Sequence, residues 1–195
     1  MVTRAWFTAF VMAVAVQRLL EVRHSRRNER QLLNRGAQEH AASQMAVMAA
    51  LHTLWLAASV IEVWVFRPPF RPWLAIAALT LFALGQTLRL LAIRALGPRW
   101  TVRVMTLPAA EPVVDGIYRY IRHPNYLGVI LEIAALPLVH GAVWSSASFS
   151  VANAVVLSAR IRAEEQALSR DNGYARHFGA RGRFLPSSRG PRIPS

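Results

Sequence analysis

Apolar runs at residues 6–20 (reaching back to Val2), 45–66 and 73–96 restrict what this chain can fold into more than any other feature. A bilayer core takes roughly 20 apolar helical residues, a length the second and third runs meet outright. Two further runs, 126–139 and 144–159, are shorter and joined by a turn at His140-Gly141. So short a link makes them an antiparallel helical hairpin, crossing where the bilayer thins locally. The expectation is an all-α integral membrane helical bundle with about five transmembrane helices. The chain is 54% hydrophobic, above the roughly 45–50% of an average soluble domain.

The charge pattern agrees. All 23 basic residues are Arg, against 10 acidic ones, for a formal net charge of +13. The Arg residues lie between the apolar runs and near the C-terminus, which favours a membrane surface over nucleic acid as the partner. The links after the first and third runs and the C-terminal segment are Arg-rich, whereas the other links carry few or none. The positive-inside rule then places the N-terminus outside and the C-terminus in the cytoplasm. An Arg-rich stretch, not a small-residue cleavage site, follows the first run, so it is expected to stay as an anchor. There is no Cys, which excludes disulfides, a thiolate nucleophile and Cys-ligated metal.

Residues 23–40 mix Arg with Glu29 and Glu39 and end near Gly36. They read as a separate, solvated helix at the interface. The second run carries His52 and Glu62, and ionisable residues inside a span are candidate functional groups. Glu62 lies near the run's end and could equally reach the interface. In the third run Arg89 and Arg94 are expected to snorkel outward, and Gln86 to bond another helix. Gly97-Pro98-Arg99-Trp100 breaks that helix, and 101–107 alternates as an extended segment would. Glu132 and Asn153 could pair between helices.

Residues 115–128 concentrate two Arg, one His, three Tyr and a Pro in one turn between apolar runs. Proline disfavours helix at the residue before it and suits a helix's first turn. His123 should therefore be extended and Pro124 should open a helix, whose N-terminal amides beside Arg122 and His123 suit an anion or polar group. Downstream, Arg160 and Glu164 stand four residues apart on one helix face. The hairpin should return Arg160 to the level of His123. Cation donors Arg160 and Arg122, the acceptor Glu164 and the aromatics Tyr118 and Tyr126 would then share one site. Such a set suits a zwitterionic or nucleoside-bearing cofactor and a substrate oxyanion, with the rings open to cation–π contact. His123 with His52, His140 or His177 matches no usual metal spacing, and neither a dinucleotide fingerprint nor a Walker pattern is present.

Gly116-Ile117-Tyr118, Arg122-His123-Pro124-Asn125-Tyr126 with Gly128, and Arg160 with Glu164-Glu165-Gln166-Ala167-Leu168 together resemble the isoprenylcysteine carboxyl methyltransferase family. The resemblance covers roughly residues 80–185. It implies a helical membrane fold, a cytoplasmic pocket for S-adenosyl-L-methionine, and a lipid substrate arriving from the bilayer. By motif position, Glu111, Pro112, Val113, Val114, Tyr118, Arg122, His123, Pro124, Asn125, Tyr126 and Glu164 would hold the cofactor, and Arg160 would meet the substrate. Glu111 and Pro112 depart from the family pattern, which points to backbone contacts there. Asn28-Glu29-Arg30, residues 33–36 and Gly97-Pro98-Arg99-Trp100-Thr101 look like small bacterial members that act beside type III polyketide synthases and O-methylate alkylpyrones. That narrower resemblance implies the bacterial cytoplasmic membrane, with a type III polyketide synthase as a pathway partner. An enol on a lipid tail and a prenylcysteine carboxylate both offer Arg160 an acidic oxygen, and transfer to an ionised oxygen is mainly a matter of positioning.

Residues 1–185 are thus expected to form a single membrane methyltransferase domain with a catalytic core at about 80–185, and 186–195 a disordered tail. Two readings compete. Membrane sterol reductases that use NADPH look similar around Arg-His-Pro-x-Tyr, and in a non-catalytic scaffold subunit Arg160 and Glu164 would be ordinary interfacial charges. No metal is expected.

Overall fold

Long stretches without Gly or Pro let the apolar runs form unbroken helices. In the computed structural model, which describes residues 1–108, 110–171, 174–179 and 181–186, the order is α1 Val2–Asn34, β1 Gln38–His40, α2 Ser43–Val65, α3 Pro72–Leu96, β2 Val104–Thr106, α4 Pro124–Leu138, α5 Val143–Asp171 and α6 Tyr174–Phe178. Helices α1, α2 and α3 are each long and apolar enough to cross a membrane, and α4 is a shorter apolar helix. The chain is an all-α membrane protein. Most of the tail expected to be disordered, 187–195, lies outside the described residues.

Helices α1 to α5 run alternately up and down. At one end Glu62, on the last turn of α2, accepts from the first backbone amides of α5, Trp144 at 3.1 Å and Ser145 at 2.6 Å. His140 there lies 3.2 Å from Thr3 at the start of α1. At the other end Asn28 of α1 donates to the Trp100 carbonyl just past α3 (2.8 Å), and His123 before α4 meets Glu165 of α5 (3.0 Å). Glu62 is therefore a buried helix cap, not an interfacial side chain. It satisfies amides that no residue within α5 can reach.

Several sequence expectations are corrected. Residues 23–34 continue α1 and do not form a separate interfacial helix. No helix breaker lies between Leu20 and Asn34, and Ser25, Asn28 and Glu29 are buried rather than solvated. Gly36, at φ 83°, ends the segment as anticipated. Residues 38–40 are extended and pair antiparallel with β2, Glu39 opposite Met105. That small sheet joins the α1–α2 link to the extended segment after α3.

Arg89 does not snorkel. It is buried, donates to Glu21 and lies 3.5 Å from Glu132. Arg18 bonds both Glu21 (2.8 Å) and Glu132. Glu132 thus pairs with these arginines and not with Asn153, whose Oδ1 has no hydrogen-bond partner among the described residues. Arg94 is exposed, as expected. Gln86 and Gln17 exchange amide hydrogen bonds of 2.8 and 3.0 Å between α3 and α1.

The α3–α4 contact depends on two glycines. A Cβ on Gly128 would stand 2.6 Å from the Gly85 carbonyl oxygen and 2.6 Å from Arg89 Cγ. The core beside it comprises Phe7, Val11, Trp55, Val63, Phe82, Ile133 and Leu136, contributed by α1, α2, α3 and α4.

Ala is intrinsically better than Gly in a helix by about 1 kcal/mol. Gly128→Ala is nonetheless expected to lower the thermal midpoint of the detergent-solubilised protein, because overpacking costs about 1–3 kcal/mol. Scanning calorimetry checks the sign: a midpoint that rises or holds would mean the helices separate without penalty.

Candidate active site

Pro124 opens α4, and His123 before it, at φ −126° and ψ 59°, is outside the helical region. The turn is braced by the C-terminal segment: the Arg122 and His123 amides donate to the Gly182 (3.1 Å) and Arg183 (3.0 Å) carbonyls. Arg122 also donates from Nε to the Arg181 carbonyl (2.6 Å), so much of its donor capacity is spent on the backbone. His123 Nε2 lies 3.0 Å from Glu165 Oε1. A carboxylate only accepts, so Nε2 carries the proton. The His123 ring stacks on Tyr126 with centroids 5.4 Å apart.

Arg160 and Glu164 do not bond each other directly. The Tyr126 hydroxyl stands between them, accepting from Arg160 Nε at 3.0 Å and donating to Glu164. The second arm of Arg160 donates to the Val102 carbonyl, and the Val102 amide donates to Ser25 Oγ at 2.8 Å. Arg160 and Tyr126 are both buried.

These groups face a cavity of about 290 Å³. Glu111, Pro112, Val113, Tyr118, Arg122, His123, Asn125, Tyr126, Arg160 and Glu164 line it, whereas Val114 and Pro124 do not. Pro124 shapes the turn from within α4. Arg99 fixes the 111 backbone by donating to its carbonyl at 2.6 Å. Asn125 Oδ1 and the Tyr174 hydroxyl are buried without a hydrogen-bond partner among the described residues, and both residues line the cavity.

The sequence reading missed much of the opposite wall, which includes Arg18, Glu21, Met45, Met48 and Arg89. His52, flagged by its place inside a span, is there too. Arg18 and Glu21 carried the same kind of signal at the end of the first run. Among the described residues no group of three or more His, Asp or Glu side chains is arranged to hold a metal ion.

Burial, and then the nearby Glu164 and Tyr174, push the Tyr118 hydroxyl above its ordinary value. Burial, and then Glu164 and Glu165, do the same to Tyr174. Both phenols therefore stay protonated and can donate. Glu165 lies in the charged end of α5, beyond the apolar run. Burial there opposes ionisation, but hydrogen bonds from His123 and Arg183 outweigh it and hold the carboxyl down at about 2.

The helical membrane bundle thus encloses a mostly apolar cavity whose wall carries several charged side chains, the architecture of an integral membrane protein with a binding site. Residues 77–170 match the isoprenylcysteine carboxyl methyltransferase family, and the chain belongs to that family of membrane methyltransferases. It is 37% identical over 163 residues to the uncharacterised protein YpbQ of Bacillus subtilis (strain 168), an alignment covering 83% of this chain and 96% of that one. It is also 28% identical over 145 residues to an uncharacterised protein of Haemophilus influenzae, covering 73% and 83% respectively.

Glu165 is an ion-pair partner whose carboxyl falls from an ordinary value of 4.5 to about 2 on folding. Its stabilisation is complete above pH 4.5 and is lost as pH falls through 2. Thermal midpoints measured from pH 6 to pH 2 should drop less steeply in Glu165→Gln than in the wild-type protein. Parallel curves would show that the His123–Glu165–Arg183 cluster contributes nothing to acid sensitivity.

Proposed function

We propose that this chain is an S-adenosyl-L-methionine-dependent O-methyltransferase acting on a lipidic substrate with an acidic oxygen, an enol or a carboxylate. The observation that carries the reading is the set of acceptors around the start of α4. Glu164 is anchored by the Tyr126 hydroxyl, and the unpartnered Asn125 Oδ1 is buried in the same wall. An ammonium group and ribose hydroxyls are donors, so the residues fit this cofactor. The rings of His123 and Tyr126 and the backbone of 111–113 would complete its pocket, which opens towards the cytoplasm in the orientation the Arg distribution favours.

When bound, the cofactor supplies a methyl group on a positively charged sulfur. The chain's residues do the positioning. Tyr126 holds Arg160 and Glu164 apart, so that one cation and one carboxylate face the cavity without neutralising each other. Arg160, fixed through Tyr126 and Val102, would hold the substrate oxygen by charge-assisted hydrogen bonding. Burial removes water from that contact, and alignment of oxygen with sulfonium is the main catalytic contribution. Residues 1–185 act as one domain in this reading, with the apolar part of the cavity taking the lipid tail.

Isothermal titration of S-adenosylhomocysteine into the detergent-purified chain tests the reading. Wild type should bind in the micromolar range and Glu164→Ala at least about tenfold more weakly, as expected for a lost charged hydrogen bond. A folded wild-type sample that binds no S-adenosylhomocysteine, or a Glu164→Ala variant that binds it equally well, would overturn the assignment.

A further inference from the structure

Helix α1 turns two different faces to its surroundings. Phe7, Val14, Ser25, Asn28 and Leu32 are buried against the bundle. On the opposite side Met12, Val16, Leu19, Arg23, Arg26 and Arg30 follow one another at alternating steps of four and three, which sets them on one stripe of a helix. All six are exposed, and none lines the cavity.

The stripe changes character once. Met12, Val16 and Leu19 are apolar and exposed, and every member beyond them is Arg. The change falls where a bilayer would end. Trp6 is exposed near the start of α1, and Trp64, Trp73 and Trp144 are exposed at the same end of α2, α3 and α5. Trp64 Nε1 donates to Thr8 of α1 at 2.9 Å, which ties two of these ends together. Tryptophans gathered so mark a membrane surface. At about 1.5 Å per residue, Arg23 and Arg26 stand about 26 and about 30 Å along α1 from Trp6, and Arg30 about 6 Å further. The hydrocarbon core is about 30 Å thick. The three guanidinium groups therefore begin at its far edge and reach through the headgroup layer.

Their charge is not met by this chain. Glu29, the only carboxylate between Val22 and Gln38, is turned inward and accepts from Ser25 Oγ at 2.6 Å. Glu39 holds Arg103. Arg23, Arg26 and Arg30 form no ion pair among the described residues. The contacts of Asn28 with Trp100 and of Ser25 with Val102 fix the rotation of α1, so the stripe cannot turn towards a carboxylate elsewhere in the bundle. Like charges one helical turn apart repel each other until an anion lies across them.

We propose that this stripe is a binding site for an anionic phospholipid. Arg23, Arg26 and Arg30 hold its phosphate and headgroup, and an acyl chain lies along Leu19, Val16 and Met12. Guanidinium forks match phosphate oxygens. The order along the stripe, apolar and then cationic, is the complement of such a lipid. An acidic protein in solution would meet the arginine half alone. The inference stands apart from the methyl transfer proposed above and uses none of its residues.

The chain has no Cys, so a single introduced one can carry a local probe. Leu20→Cys, beside the stripe, is labelled with bimane in the full chain and reconstituted in phosphatidylcholine vesicles. These contain a minor fraction of phosphatidylglycerol or phosphatidylcholine bearing a nitroxide near the top of one acyl chain. At equal mole fraction the nitroxide phosphatidylglycerol should quench about threefold more effectively, as arginines at a charged surface predict. The preference should shrink at about 0.5 M NaCl, where charges are strongly screened, and vanish in Arg23→Gln/Arg26→Gln/Arg30→Gln. Bimane on Val151→Cys, exposed on α5 and about 10 Å from Trp144 along the helix, should show no preference. If the triple variant does not reconstitute, Arg23→Gln/Arg26→Gln decides by the same criterion. Equal quenching by the two lipids at Leu20 overturns the inference and leaves the arginines to an acidic partner in solution. A preference that survives the arginine substitutions, or one that is equal at Val151, overturns it as well.

Discussion

Four charges between helices, two buried and two half-buried, hold this bundle in register. Arg18 and Glu21 come from α1, Arg89 from α3 and Glu132 from α4, and each is bonded to or within 3.5 Å of a charge of opposite sign on another helix. In an apolar medium an unpaired ion is prohibitively costly, whereas a matched set is tolerable. Sliding any one helix by a turn would strand a charge, so the axial positions of all three are fixed together. The glycines fix the remaining freedom. Gly85 and Gly128 bring α3 and α4 close enough for the Arg89 side chain to pass over the Gly128 backbone. The ion cluster and the close approach are therefore one constraint, and the cavity wall that includes Arg18, Glu21 and Arg89 follows from it.

A second polar seam builds the other wall. Asn28 and Ser25 on the polar extension of α1 bind the backbone of Trp100 and Val102. The β1–β2 pair and the bidentate contact of Arg103 with Glu39, at 2.5 and 2.6 Å, hold the next residues. Burying so many side-chain donors and acceptors is economical only because each meets a partner. These seams leave unpartnered acceptors such as Asn125 Oδ1 facing the cavity.

Much of the fold was legible because lipid imposes simple rules. The second and third spans followed from run length to within two residues at each end, and Pro124 announced the start of α4 through its effect on His123. The residues of the central turn and of α5 could be placed together from the short hairpin alone. The errors share a cause. Arg89 and the charged half of α1 were read one element at a time, as groups seeking water, and Glu132 was given Asn153 of α5 as its partner in place of the two arginines. Their partners lie on other helices, 68 and 114 positions away for Glu21–Arg89 and Arg18–Glu132. Periodicity carries no information at that range. The β1–β2 pairing was hidden for the same reason, and the Tyr126 bridge because i,i+4 spacing suggests direct contact where a third side chain intervenes.

The backbone of Val102 is held on both sides, its N–H by Ser25 and its C=O by Arg160. It works like a pinned joint between α1 and α5. Any swing of the Arg160 guanidinium must pull on that joint, and any tilt of α1 must push on it. In sequence, Ser25 and Arg160 are among the more distant pairs in the chain. Mechanically they are separated by the backbone of a single residue.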